Sequence, residues 1–175
     1  MLAEDLAQQA GIPFRVWQTI RAVESHGSAS AIRFEPHIFR RLTAHKYDAK
    51  IPFTPGPEGF SRVRAETDRG AFNRAFLLDA EAAVRATSWG AGQVLGAWLL
   101  RVDGDPGRAV ALFDRDPVGT GDRMMVAWWR AAKPSLRDAA TKEPPDFLLI
   151  ARAYNGPGNA AHYAAALERE YAKTV

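Results

Sequence analysis

The chain has 175 residues, 47% of them hydrophobic, enough to bury one sizeable core and no more than a single domain needs. It contains no cysteine, which excludes disulfides and thiolate metal sites. With 23 basic residues scattered among 20 acidic ones, a net charge of +3 and a single adjacent basic pair at Arg40-Arg41, it lacks the basic arm of a nucleic-acid binder. No nucleic-acid partner is therefore expected, although a pI near 9.4 favours approach to polyanions.

The start, Met1 to Asp5, has neither a basic opening nor a continuous apolar run, so it does not read as a secretory signal. Apolar residues recur mostly at spacings of three and four, while alternating runs bounded by turns are scarce, so the expected fold class is all-α with one domain over residues 1–175. A first helix begins near Ala3 and stops near Gly11. Pro13 opens a second that reaches Glu24, with Gly27 as its stop. Pro36 opens a third through Leu42. The stretch from Tyr47 to Phe60, where Pro52, Pro55, Gly56, Pro57 and Gly59 cluster, reads as a surface loop. Asp79 is a candidate cap for Ala80 to Ala86, and a further helix is expected after Gly92. Others fit Pro106 to Phe113, Asp122 to Ala132 and Pro145 to Tyr154, and Asn159 caps the last through Tyr171. No apolar stretch approaches the ~20 residues that span a bilayer, so stable membrane insertion is not expected.

Three separated segments carry chemistry. In the first, Ile20 and Trp17 lie four and seven residues before Glu24, so this carboxyl shares a helix face with bulky apolar side chains. Desolvation and the negative end of the helix dipole both disfavour a charged carboxyl there, as suits a general acid. The plainer alternative is a solvated last-turn glutamate. In the second segment, Ser88-Trp89-Gly90-Ala91-Gly92-Gln93 joins glycines that permit close backbone approach to a hydroxyl and an amide. A helix-loop-helix corner would use the same glycines. In the third, Tyr154 and Asn155 precede Gly156-Pro157-Gly158: an aromatic ring can stack on a sugar face, and a turn Asn can equally bond its own backbone. Trp98 and the pair Trp128-Trp129 fall in helical apolar patterns and read as core. His26, His37, His45 and His162 show no metal-ligand spacing, so neither a metal nor another cofactor is expected.

Ala22-Val23-Glu24-Ser25, Arg33-Phe34-Glu35-Pro36-His37-Ile38-Phe39-Arg40-Arg41, Ser88-Trp89-Gly90 with Gln93 and Gly96, and Tyr154-Asn155-Gly156-Pro157-Gly158 together resemble the phage-associated N-acetylmuramidase endolysin family. Glu24-Ser25, Gly92-Gln93 and Ala153-Tyr154-Asn155 are also similar to signatures of lysozyme-like lytic transglycosylases. The resemblance implies a lysozyme-like helical domain that hydrolyses the β-1,4 bond between N-acetylmuramic acid and N-acetylglucosamine, with Glu24 as acid. Ser88, Gln93, Tyr154 and Asn155 would line the substrate. The chain departs from the pattern at Ala91, Gly92, Val94 and Leu95, which leave a smoother wall, and at Pro36, where a basic residue is frequent. Glu35 has two readings: a second catalytic carboxylate acting on water, or a structural group pairing with Arg33 or Arg40 and capping the helix at Pro36. The resemblance further implies bacterial peptidoglycan as the partner, a monomer, and accumulation in the host cytoplasm before holin-dependent release to the wall, or carriage on a virion. A transglycosylase leaving 1,6-anhydro ends and a non-catalytic wall-binding module are the alternatives.

Overall fold

The computed structural model describes residues 3–55, 61–63 and 66–173. The fold is mostly α, in two compact units: Met1–Ser28 with Met125–Val175, and Ala29–Met124.

The first unit contains α1 (Ala3–Ala10), α2 (Phe14–Ser25), the end of α8 (Pro117–Ala131), α9 (Pro134–Thr141), α10 (Phe147–Asn155), a 3-10 turn at Pro157–Asn159 and α11 (Ala160–Lys173). Helix α2 buries Val16, Trp17, Thr19 and Ile20, the stripe expected of an amphipathic helix, and packs against α11. Its C-terminal residue His26 takes a left-handed conformation (φ 53°), and its N–H donates to the carbonyl of Ala22 (3.0 Å), which ends the helix where the sequence placed a stop. Away from that end, the Arg15 guanidinium lies 3.7 Å from the centre of the Tyr171 ring and donates to the Tyr171 carbonyl (2.6 Å), tying α2 to the last turns of α11. Trp129, Ile150 and Leu167 complete this core. Helix α9 is absent from the sequence reading, and α10 starts at Phe147 because the Asp146 carboxylate accepts from the Leu149 N–H (3.1 Å).

The second unit contains β1 (Ile32–Phe34), α3 (Pro36–Leu42), β2 (Phe53–Pro55), β3 (Ser61–Val63), α4 (Asp68–Leu78), α5 (Ala80–Arg85), β4 (Thr87–Trp89), β5 (Val94–Leu95), α6 (Leu99–Val102), α7 (Pro106–Arg115) and the start of α8. Strands β1, β4 and β5 form an antiparallel sheet in that order, with Arg33 opposite Ser88 and Trp89 opposite Val94. These strands of two and three residues are too short to show alternation, which is why the sequence reading lacks them. Strand β2 falls in the stretch from Tyr47 to Phe60 expected to be a loop, whose residues 56–60 lie outside the described ones, and pairs with β3 just beyond that stretch. The helix expected after Gly92 is instead a turn followed by β5 and α6. Asp79 caps α5 as expected, accepting from the Ala82 N–H (3.0 Å), while Thr67 caps α4, which the sequence reading lacks.

The core of this unit centres on Trp89. Its ring meets Phe72 and Phe113 edge-on at 5.1 and 4.9 Å between centroids, and its indole N–H donates to the Val84 carbonyl (3.3 Å). Helix α8 begins at Pro117 rather than Asp122 because the Asp116 carboxylate accepts from the Gly119 N–H (2.9 Å). Gly90 (φ 74°) passes so near Gly121 that a Cβ would stand 3.2 Å from its Cα, so a side chain there would force the turn off α8.

Gly96 is more constrained still, since a Cβ built on it would lie 1.8 Å from the Val84 carbonyl oxygen. Gly96→Ala is expected to lower the melting temperature and cost at least ~2 kcal/mol of folding stability, read by thermal and urea unfolding. Parental stability would show that α5 and β5 can separate freely.

Candidate functional site

In the first unit Glu24 occupies the last turn of α2 and is half-buried. The Tyr163 hydroxyl on α11 donates a hydrogen bond to Oε1 of Glu24. The carboxyl is thus a partnered group on a packed face rather than a freely solvated helix end. Apolar burial of an acid without such a donor would be costly, so the bond accounts for its place one turn beyond Ile20.

Tyr154 stands on α10 near the same carboxyl. Burial pushes its phenol well above the ordinary value of 10.0, and the negative charge of Glu24 adds to that rise, so the hydroxyl stays protonated across the physiological range. Its ring meets Trp128 at 4.7 Å between centroids, edge to face, and Trp128 in turn meets Trp129 at 5.0 Å. Trp129 is core, as expected, whereas Trp128 and Trp98 keep partly exposed faces. Asn155, the last residue of α10, is exposed ahead of Gly156 at φ 80°. The structure therefore brings Glu24 and Tyr154 together and adds two residues that the sequence reading did not assign to the site, Tyr163 and Trp128. Tyr163 falls in the buried set Ala160, Tyr163, Ala164 and Leu167 of α11, a core pattern. The one available signal was its hydroxyl, a polar group on an apolar face that needs a partner.

The remaining three candidates belong to the second unit. Glu35 precedes α3, and its carboxylate is almost fully buried. It accepts from Nε of Arg33 at 2.6 Å, and Nδ1 of His37 lies 3.8 Å away. Its main-chain carbonyl accepts the Ile38 and Phe39 N–H groups, which opens α3, while its side chain makes no cap bond. Arg40 pairs with Asp48 instead, at 2.9 Å. Ser88 is buried in β4. Gln93 is held at φ 47°, and its side-chain amide donates to the carbonyls of Gly90 (3.0 Å) and Ala31 (3.3 Å), so it closes the glycine-rich turn onto the segment before β1. In the same unit an open groove of about 480 Å³ is lined by Ser30, Arg69, Asn73, Phe113, Asp114 and Pro117, none of them singled out by the sequence.

Among the described residues no group of three His, Asp or Glu side chains could hold a metal ion, and no helix is long and apolar enough to cross a membrane.

Two measurements follow. For Tyr154 the folded value is raised, so its contribution to stability is fully present below pH 10 and is lost as pH climbs from there through the folded value. The near-ultraviolet phenolate titration of the parent, minus that of Tyr154→Phe, should therefore show a group ionising well above 10, and a difference titrating at the ordinary value would contradict the burial. Glu35→Ala removes the buried acceptor of an Arg33 side chain that is itself 36% exposed, and is expected to cost about 1 kcal/mol in urea unfolding.

The family model for N-acetylmuramidase matches residues 13–175 and so runs through both units. Among solved structures, the crystal structure of the Burkholderia AP3 phage endolysin is similar, with a TM-score of 0.66 at 23% identity, over 98% of this chain and 68% of that one. That likeness concerns the fold. No curated protein matches the chain. With a family model that matches nearly all of its length, the chain belongs to the N-acetylmuramidase family of peptidoglycan hydrolases.

Proposed function

We propose that residues 1–175 act as one catalytic domain, a glycosidase that cleaves the β-1,4 bond between N-acetylmuramic acid and N-acetylglucosamine by general acid catalysis at Glu24. The observation that supports this most is the setting of Glu24: a carboxyl on a packed helix face, bonded by one phenol and close to a second that stays neutral. A carboxylic acid held partly away from water can pass its proton to the bridging oxygen as the bond to the sugar breaks, and water then completes the hydrolysis. Tyr154, with Trp128 behind it, offers a ring to a sugar face, and exposed Asn155 offers an amide to an acetamido or hydroxyl group.

For the second unit, the pairing of Glu35 with Arg33 supports the structural of its two roles, orienting the start of α3, over that of a base. The Gln93 amide, given to two backbone carbonyls, supports a role in shaping the turn near Ser88. The fold likeness to a phage endolysin supports a phage or prophage origin. On this reading the protein is a monomer that accumulates in the host cytoplasm and reaches peptidoglycan by a holin, or is carried on a virion or secretion device.

Glu24→Gln keeps the shape of the side chain and removes the acid. It is expected to lose at least ~100-fold in release of reducing ends from purified peptidoglycan, with the products of the parent carrying free reducing N-acetylmuramic acid by mass spectrometry. Parental activity in the variant would remove Glu24 from the mechanism, and 1,6-anhydro products would make the enzyme a transglycosylase.

A further inference from the structure

We propose that Tyr163 is a positioning residue that holds the Glu24 carboxyl in one orientation for proton transfer and stabilises the carboxylate left behind. The inference rests on the reading of Glu24 as the acid. Tyr163 is 8% exposed, on the face of α11 that packs against α2, and its hydroxyl donates to Oε1 of Glu24. A phenol with an ordinary value near 10 is a donor at neutral pH. By bonding Oε1, the phenol limits rotation of the carboxyl and holds the acid in one orientation.

The same bond works during transfer. As the proton leaves the carboxyl for the bridging oxygen, negative charge grows on it and the bond from Tyr163 becomes charge-assisted, so it is stronger late in the step than in the bound ground state. An interaction that gains strength only towards the transition state raises kcat and leaves KM alone. Tyr154, on α10 with its ring against Trp128, adds a second phenol near the same carboxyl.

The test is Tyr163→Phe, which keeps the buried ring and deletes the hydroxyl, assayed on purified glycan strands beside Glu24→Gln. We expect kcat to fall roughly tenfold with KM within about twofold of the parent, the signature of a contact made in the transition state. Tyr163→Met also lacks the donor and is flexible enough to refill the space, so it gives the same reading if the phenylalanine variant folds poorly. Parental kcat in either folded variant, or a loss confined to KM, overturns the proposal. If Glu24→Gln is inactive and Tyr163→Phe is fully active, only this inference fails. If Glu24→Gln keeps parental activity, the acid assignment fails with it.

Discussion

The packing of α2 against α11 is the constraint on which the setting of Glu24 depends. An acid one turn beyond Ile20 and two beyond Trp17 is carried by the helix repeat towards an apolar neighbour, where a bare carboxyl would be costly. Tyr163 resolves that conflict by presenting a ring to the core and a hydroxyl to the acid. Away from that site, the Arg15 guanidinium on the Tyr171 ring and carbonyl fixes the two helices against each other, so the geometry at Glu24 does not rest on one bond. The left-handed closure at His26 then turns the chain away directly after the acid.

The second unit meets a different demand, that of bringing backbone close to backbone. Gly96 lets β5 lie on the Val84 carbonyl, and Gly90 and Gly121 let a turn touch α8. Trp89 fills the centre and anchors its indole N–H on the same Val84 carbonyl, while Gln93 ties the turn to Ala31. Read from the sequence, Gly90, Gly96 and the Gln93 amide resemble a ligand-cradling loop. In the structure they meet local packing and hydrogen-bonding needs, and any contact with sugar is added to that duty.

What was legible in the sequence follows from length and periodicity. The stripe of Val16, Trp17 and Ile20 and the stop at Gly27 placed α2 and its terminal acid, and the cap at Asp79 placed α5. Strands of two or three residues carry too little pattern to be seen, and glycines at 119 and 121 disguised the first turns of α8. Tyr163 was hidden for a more instructive reason: its ring obeys the core pattern of α11, and only the partner of its hydroxyl, 139 residues away in sequence, reveals a second purpose. Membership of the N-acetylmuramidase family rests on the match of the family model to residues 13–175.

The central claim is that the carboxyl at position 24 meets the bridging oxygen of a bound glycan. A crystal structure of Glu24→Gln with an uncleaved muramic acid–glucosamine oligomer tests it most directly. The account predicts the amide of residue 24 within ~3.2 Å of a glycosidic oxygen, with Tyr163 still bonded to the side chain from the opposite side. An oligomer seated with every bridging oxygen out of reach of residue 24 would contradict it.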